Sequence, residues 1–350
     1  MAWERAGLAN ILALCGAVSD NMGLKLPMTI TSTAASKLNT KLPFSSGTLK
    51  ARRHAMKLKL GLLLMAGLLV SNVNAFSQDT NFWIFVCFGQ SNMEGFPGLE
   101  QQDTTNIDSR FQVFATVDFP KLGRKKGHWY PAVPPLCRPS TGLGPADYFG
   151  RTLVANLPRN IKVGVVVVAV AGCKIELFEK NHYQAYAATA PPWMKGIIKQ
   201  YKGNPYQYLV DMAKRAQKDG VIKGILLHQG ESNVNDQNWP NEVKGIYDNL
   251  IKDLNLNAQN VPLLAGEVVN ADEDGQCASM NQIIDTLPAT LPNSYVISSA
   301  GCPALAPQHL HFTPAGYREL GRRYGEKMLL ILGYKTGTSW LGIAGRNRPN

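Results

Sequence analysis

The sequence predicts an α/β fold, a doubly wound three-layer arrangement around a mostly five-stranded parallel sheet. Two observations carry this. Five apolar runs, at 82–88, 161–171, 224–228, 261–269 and 295–299, alternate with segments of helical period. The first two runs are apolar without polar alternation, the habit of strands covered on both faces. The chain of 350 residues shows no internal repeat and no interdomain linker, so one domain over about 76–335 is expected, followed by a polar tail, 336–350.

In order, Phe82-Trp-Ile-Phe-Val-Cys-Phe88 forms the first strand and stops at Gly89, with Ser91 two residues later. A serine on the turn after a buried strand lies at the carboxyl edge of the sheet, where open α/β folds place their sites. The spacing Gly89-x-Ser91-x-x-x-Gly95 differs from the G-x-S-x-G elbow, and a helix-capping serine is the alternative reading of this stretch alone. Residues 96–141, rich in Gly, Pro and charge, read as a long irregular segment. A helix follows Gly142, with Pro145 in its first turn and Pro158 ending it. The valine-rich run 161–171 then enters Gly172-Cys-Lys-Ile-Glu176. Residues 181–204 read as a loop bearing Trp193.

Tyr206, Leu209, Val210, Ala213 and Ala216 mark a helix. The third strand ends in His228-Gln-Gly-Glu-Ser-Asn233. A helix over about 240–254, the strand 261–269, a helical segment 280–287 and the short strand 295–299 complete the alternation. Thr313 then caps the last helix, with Pro314 at its first position and Tyr317, Leu320, Tyr324 and Met328 on one face.

Residues 1–75 lie outside this pattern. Met56-Lys-Leu-Lys59 supplies a positive start, Leu60–Val70 an eleven-residue apolar stretch and Val73-Asn-Ala75 a small-residue cleavage site. The expectation is a signal peptide over 56–75 and a secreted or periplasmic product. The apolar stretch is too short for a membrane span, so no stable membrane insertion is expected after cleavage. Residues 1–55 read as a non-native or disordered extension, with Met56 as the start and a transit peptide as the alternative.

The formal charge of +11 is concentrated here. Nine Lys or Arg against two acids give residues 1–75 a charge of +7 and leave +4 for the rest, with no basic stripe interleaved with aromatics, so nucleic acid is not an expected partner. Five cysteines follow residue 75, without a C-x-x-C pair. Cys87 reads as core, and Cys277 with Cys302, in predicted loops, as a pair available for a disulfide in an oxidising compartment.

Three strands thus end in Gly89-Gln-Ser91-Asn, Ala171-Gly172-Cys173 and His228-Gln-Gly-Glu-Ser-Asn233, and His309-Leu-His311-Phe-Thr precedes the last helix. A parallel sheet puts these at one edge, where they supply a nucleophile, a base, an orienting group and amide donors for acyl transfer. The blocks Gly-Gln-Ser91-Asn-Met-x-Gly, Gly172-x-x-Ile175, His228-Gln-Gly-Glu-Ser and His311-Phe-Thr-x-x-Gly316-Tyr resemble those of the SGNH hydrolases. More narrowly, they resemble the sialate O-acetylesterase-like group that includes carbohydrate esterase family six, the acetylxylan esterases. The likeness spans 80–333. It implies a flavodoxin-like α/β/α fold and hydrolysis of acetyl esters on carbohydrate, with no metal and no cofactor.

Carried onto these positions, the resemblance implies Ser91 as nucleophile, His311 as base, and the Ser91 and Gly172 amides as oxyanion donors. The third donor is Gln229 or Asn233. The family's aspartate three residues before the histidine is Gln308 here, which carries no charge to stabilise imidazolium. The site is then either a dyad or a triad completed by another carboxylate, for which Glu231 is the candidate. His228 reads as a packed strand residue and His309 as solvent-facing. Trp129, Trp193 and Trp239 are sugar platforms or packing. The functional expectation is a secreted acetylesterase of acetylxylan-type polysaccharide or oligosaccharide. The alternatives are a sialate O-acetylesterase and a carbohydrate-binding homologue impaired by Gln308.

Overall fold

A computed structural model of the chain describes residues 78–96 and 98–335. The expected extension 1–55, signal peptide 56–75 and tail 336–350 lie outside the described residues.

Seven strands form one sheet: β1 (Asp79–Gly89), β2 (Phe111–Phe114), β3 (Trp129–Pro131), β4 (Lys162–Ala169), β5 (Gly220–His228), β6 (Leu263–Gly266) and β7 (Ser294–Ile297), in the spatial order β3-β2-β4-β1-β5-β6-β7. All neighbours are parallel except β2 and β3. The five expected strands are the central and right-hand ones; β2 and β3 lie in the segment read as irregular and extend the sheet past β4. The expected loop 181–204 contains helices at Tyr183–Thr189 and Pro192–Gln200.

The helices that matter for the site are α1 (Ser91–Glu94), α2 (Pro145–Asn156), α3 (Pro192–Gln200), α4 (Pro205–Ala216), α5 (Trp239–Asp253) and α6 (Pro314–Ile331). Strand β1 explains the three layers. Ile84, Val86 and Phe88 enter one core with Leu209, Ala213, Val243 and Ile246 of α4 and α5. Trp83, Phe85 and Cys87 alternate into the other core with Phe149 and Leu153 of α2 and Leu320, Tyr324 and Met328 of α6. Both faces of the central strand are therefore withdrawn from water, and its unbroken apolar sequence follows from that.

The register sets the site. Gly89 at the end of β1 pairs with Ala169 of β4 on one side and His228 of β5 on the other, so three strands finish level. The chain order leaves β1 toward β4 on one side and β5 on the other, the crevice where such sheets carry ligands. Gly89 has φ +148°, and a Cβ there would drive into the His228 carbonyl, so only glycine lets the strands end this close together. All five cysteines among the described residues are free; of the two available for pairing, Cys302 is buried and the Cys277 Sγ approaches the Glu231 carbonyl at 3.6 Å. No described helix is long and apolar enough to cross a membrane.

Candidate active site

Ser91 opens α1 directly beyond the end of β1. The turn is held from both sides: the Gln90 N–H donates to the His228 carbonyl at 3.1 Å, and the Val170 N–H donates to the Gly89 carbonyl at 3.0 Å. His311 sits three residues before α6. Its carbonyl accepts from the Leu305 N–H at 2.7 Å, and the next residue, Phe312, is buried in the core. Thr313 caps α6, its Oγ1 accepting the Gly316 N–H at 3.2 Å. These fixings bring residues 220 apart in sequence into contact, with His311 Nε2 2.9 Å from Ser91 Oγ. Burial holds the His311 imidazole below its usual pKa, which keeps it neutral and able to accept a proton.

The acid position is not filled as expected. Gln308 is exposed and makes no hydrogen bond to His311. Glu231 lines the same pocket, yet it bonds to the Asn92 side chain and not to the imidazole. Asn92 donates in addition to the Leu310 carbonyl at 2.9 Å and accepts from the Tyr317 hydroxyl at 2.5 Å. Glu231 is thus one link from the backbone next to His311. Burial raises its carboxyl to about pH 7, against the opposing hydrogen bond from Asn92. The face of the His311 ring is covered by Phe96, centroids 4.3 Å apart.

His228 is fully buried, as a packed strand residue should be, and burial pushes it down to about 3. Its Nε2 lies 4.0 Å from Glu231. His309 is half-buried, with Nδ1 2.7 Å from the Glu273 carbonyl.

The expected amide donors Gln229 and Asn233 are corrected by their partners. Gln229 Nε2 reaches Asn233 Oδ1 at 2.7 Å, Gln90 Oε1 at 3.1 Å and the Cys173 carbonyl at 3.2 Å. Asn233 Nδ2 donates to Asp236 and Glu176. Both side chains are buried beneath the pocket and their hydrogens are used in holding loops together. Gln90, which the sequence reading did not weigh, lines the pocket instead. Its Oε1 faces Gln229 and the Gly230 and Ser232 N–H groups, leaving Nε2 as the end without a partner among the described residues. The backbone N–H groups of Ser91 and Gly172 likewise have no partner there.

The floor contains an ion pair that was also missed. Glu94 is bound by Arg138 at 2.5 Å and by the Ala171 N–H at 2.8 Å, both charged groups being buried. Burial raises the Glu94 pKa while Arg138 lowers it. The ion pair ties α1 to the loop bearing Arg138, and the Ala171 N–H ties it to the residues just after β4. Its only sequence signal was a carboxylate inside Gly-Gln-Ser91-Asn-Met-Glu94-Gly. Of the candidate tryptophans, Trp239 is buried with its Nε1 on Gln229, Trp129 packs on Phe82, and Trp193 stands exposed at the pocket. The pocket, about 370 Å³, contains Ser91, His311, Gly172, Gln90 and Glu231 together.

The sequence profile of the family described as "Carbohydrate esterase, sialic acid-specific acetylesterase" matches residues 81–330. The chain belongs to this family. Like the other members of this carbohydrate esterase family, it is an ester hydrolase, an acetylesterase acting on carbohydrate. Solved structures agree on the fold. A protein from Arabidopsis thaliana is 21% identical, with a TM-score of 0.54, over 71% of this chain and 98% of its own. NanS is 16% identical, with a TM-score of 0.52, over 73% of this chain and 99% of its own. XAC1771, a carbohydrate acetylesterase from Xanthomonas citri, is 17% identical, with a TM-score of 0.50; the match covers 71% of this chain and 56% of that one. Seen as a carbohydrate esterase, the chain departs from the resembling motifs in one chemical respect, the uncharged and exposed residue 308.

Proposed function

We propose that this carbohydrate esterase removes acetyl groups from acetylated polysaccharide or oligosaccharide of the acetylxylan type, with Ser91 and His311 acting as a dyad. The observation that carries the reading is the 2.9 Å contact between Ser91 Oγ and His311 Nε2 inside a pocket that also contains unpartnered amide N–H groups. A serine hydroxyl is a weak nucleophile until a base takes its proton. His311 Nε2 takes it as Oγ attacks the acetyl carbonyl carbon. The resulting oxyanion is placed against the N–H groups of Ser91 and Gly172 and the Nε2 of Gln90. When the carbon–oxygen bond to the sugar breaks, His311 returns the proton to the departing sugar oxygen. Water then attacks the acetyl-serine with His311 again as base; as the acyl carbon–Oγ bond breaks, His311 returns that proton to Ser91 Oγ and acetate leaves.

The orienting role usually given to an acid is supplied by packing. Phe96 covers the imidazole face, and Glu231, Asn92 and Tyr317 fix the Leu310 carbonyl. Glu231 is thereby a positioning residue. Export of the enzyme, supported by the charged and apolar pattern at 56–75, belongs to the same reading. Acetate release from acetylated xylan and xylo-oligosaccharides by the full chain tests the activity. Release by wild type and none by Ser91→Ala is expected; equal release by both would contradict it.

A further inference from the structure

The turn that leaves β4 spends its backbone N–H groups one after another. The Val170 N–H donates to the Gly89 carbonyl at 3.0 Å and the Cys173 N–H to the Val170 carbonyl at 3.2 Å. The Ala171 N–H donates to Glu94 Oε1 at 2.8 Å, the Lys174 N–H to the Tyr186 hydroxyl at 3.1 Å and the Ile175 N–H to Asn233 Oδ1 at 2.9 Å. Across 170–175 the Gly172 N–H alone has no partner among the described residues, and Gly172 lines the pocket of Ser91. In a turn so fully bonded, an N–H left over at the pocket is available to an incoming oxygen.

The direction of that N–H is not set by Gly172 itself. A glycine at φ +63° has no side chain to restrict the turn, so the peptide planes on either side must hold it. Beyond it, the Gly172 carbonyl accepts from Ser232 Oγ at 2.9 Å. Before it, the Ala171 N–H is held by Glu94 Oε1, the same oxygen that accepts from Arg138 Nη2. A hydrogen bond to an ionised acceptor is the stronger kind, and both charged side chains are buried, so water does not compete for it. Glu94 closes α1, the helix that Ser91 opens. One short helix therefore presents the nucleophile at its first residue and the anchor of the Gly172 turn at its last.

We propose that Glu94 is a positioning residue for the oxyanion site: through the Ala171 N–H it aims the Gly172 N–H at the oxygen of the acetyl group that Ser91 attacks. This rests on the esterase reading above and adds to it a residue that touches none of the reacting atoms.

The test uses two double variants of the full chain. Both lose the ion pair, and one also loses the hydrogen bond. Glu94→Gln with Arg138→Met keeps an oxygen for the Ala171 N–H; Glu94→Met with Arg138→Met does not. On 4-nitrophenyl acetate, kcat and kcat/KM of the second should both lie about 10²-fold below those of the first with KM alike, the scale of a misplaced group acting only in the transition state. Methylboronic acid, which adds to a serine oxygen as a tetrahedral anion, should lose inhibition by the same factor. Equal kcat in the two double variants, or a loss carried by KM with boronate inhibition unmoved, would overturn the inference and leave the esterase reading standing. If melting curves show that a double variant does not fold, Glu94→Asp decides. It keeps a charge for Arg138 but draws the oxygen back from the Ala171 N–H, and should lower kcat by about tenfold or more; wild-type kcat in it would overturn the inference. A wild-type chain that does not hydrolyse the ester would overturn the esterase reading, and the inference with it.

Discussion

His311 shows how a side chain acquires its chemistry from its surroundings. With no carboxylate on its ring, the dominant influence is burial, which disfavours imidazolium and lowers the pKa. The basic form therefore persists to lower pH than for a free histidine, and kcat/KM should rise with pH through a midpoint below about 6.5. Gln90 illustrates the complementary point. Gln→Glu at this position retains an acceptor for Gln229 and the Gly230 and Ser232 N–H groups but removes the Nε2 donor. Gln90→Glu should lower kcat by about 10²-fold or more, the cost of one oxyanion donor, in a variant that a melting curve shows to be folded; near-wild-type kcat would remove Gln90 from the oxyanion site. Ser91, Gly172 and His311 were legible because each follows a buried strand or precedes a capped helix. Gln90 was not, because which carboxamide hydrogen remains free depends on partners more than a hundred residues away.

Elements were legible in proportion to their apolar length. The central strands announced themselves by unbroken Val, Ile, Leu and Phe. Strand β2 offers only Phe111-Gln-Val-Phe114, and β3 only Trp129-Tyr-Pro131, a proline-bearing edge strand in a segment full of turn residues. Helix α3 was hidden by Pro191-Pro192, although a proline at the first helical position is itself a start signal. The loop before α6 was placed correctly but its fastening was not foreseen. Glu231 acts on it through Asn92, not on the imidazole. Glu231→Gln preserves an oxygen acceptor for Asn92, so activity should stay within about tenfold of wild type, far from the roughly 10⁴-fold loss that follows removal of a triad carboxylate. Gln308→Ala should be silent, since residue 308 is exposed and bonds to nothing in the site. A kcat loss near 10⁴-fold in Glu231→Gln would make it the acid after all.

At the scale of the molecule, the sheet brings four separate sequence blocks to one edge, and the level finish of β1, β4 and β5 is what makes them a site. If 56–75 directs export, amino-terminal sequencing of the secreted protein should begin near Phe76; recovery of residues 1–55 on exported, active enzyme would contradict this. The account turns on Ser91 and His311 working as one unit, which the fold alone joins across 220 residues. The direct measurement is a double-mutant cycle: kcat for acetyl-ester hydrolysis by Ser91→Ala, His311→Ala and the pair, with melting curves confirming the fold of each. Residues acting as a unit give strongly non-additive losses, so the double variant should be scarcely worse than either single one. Losses that multiply, or a His311→Ala enzyme that retains most of its activity, would contradict the account.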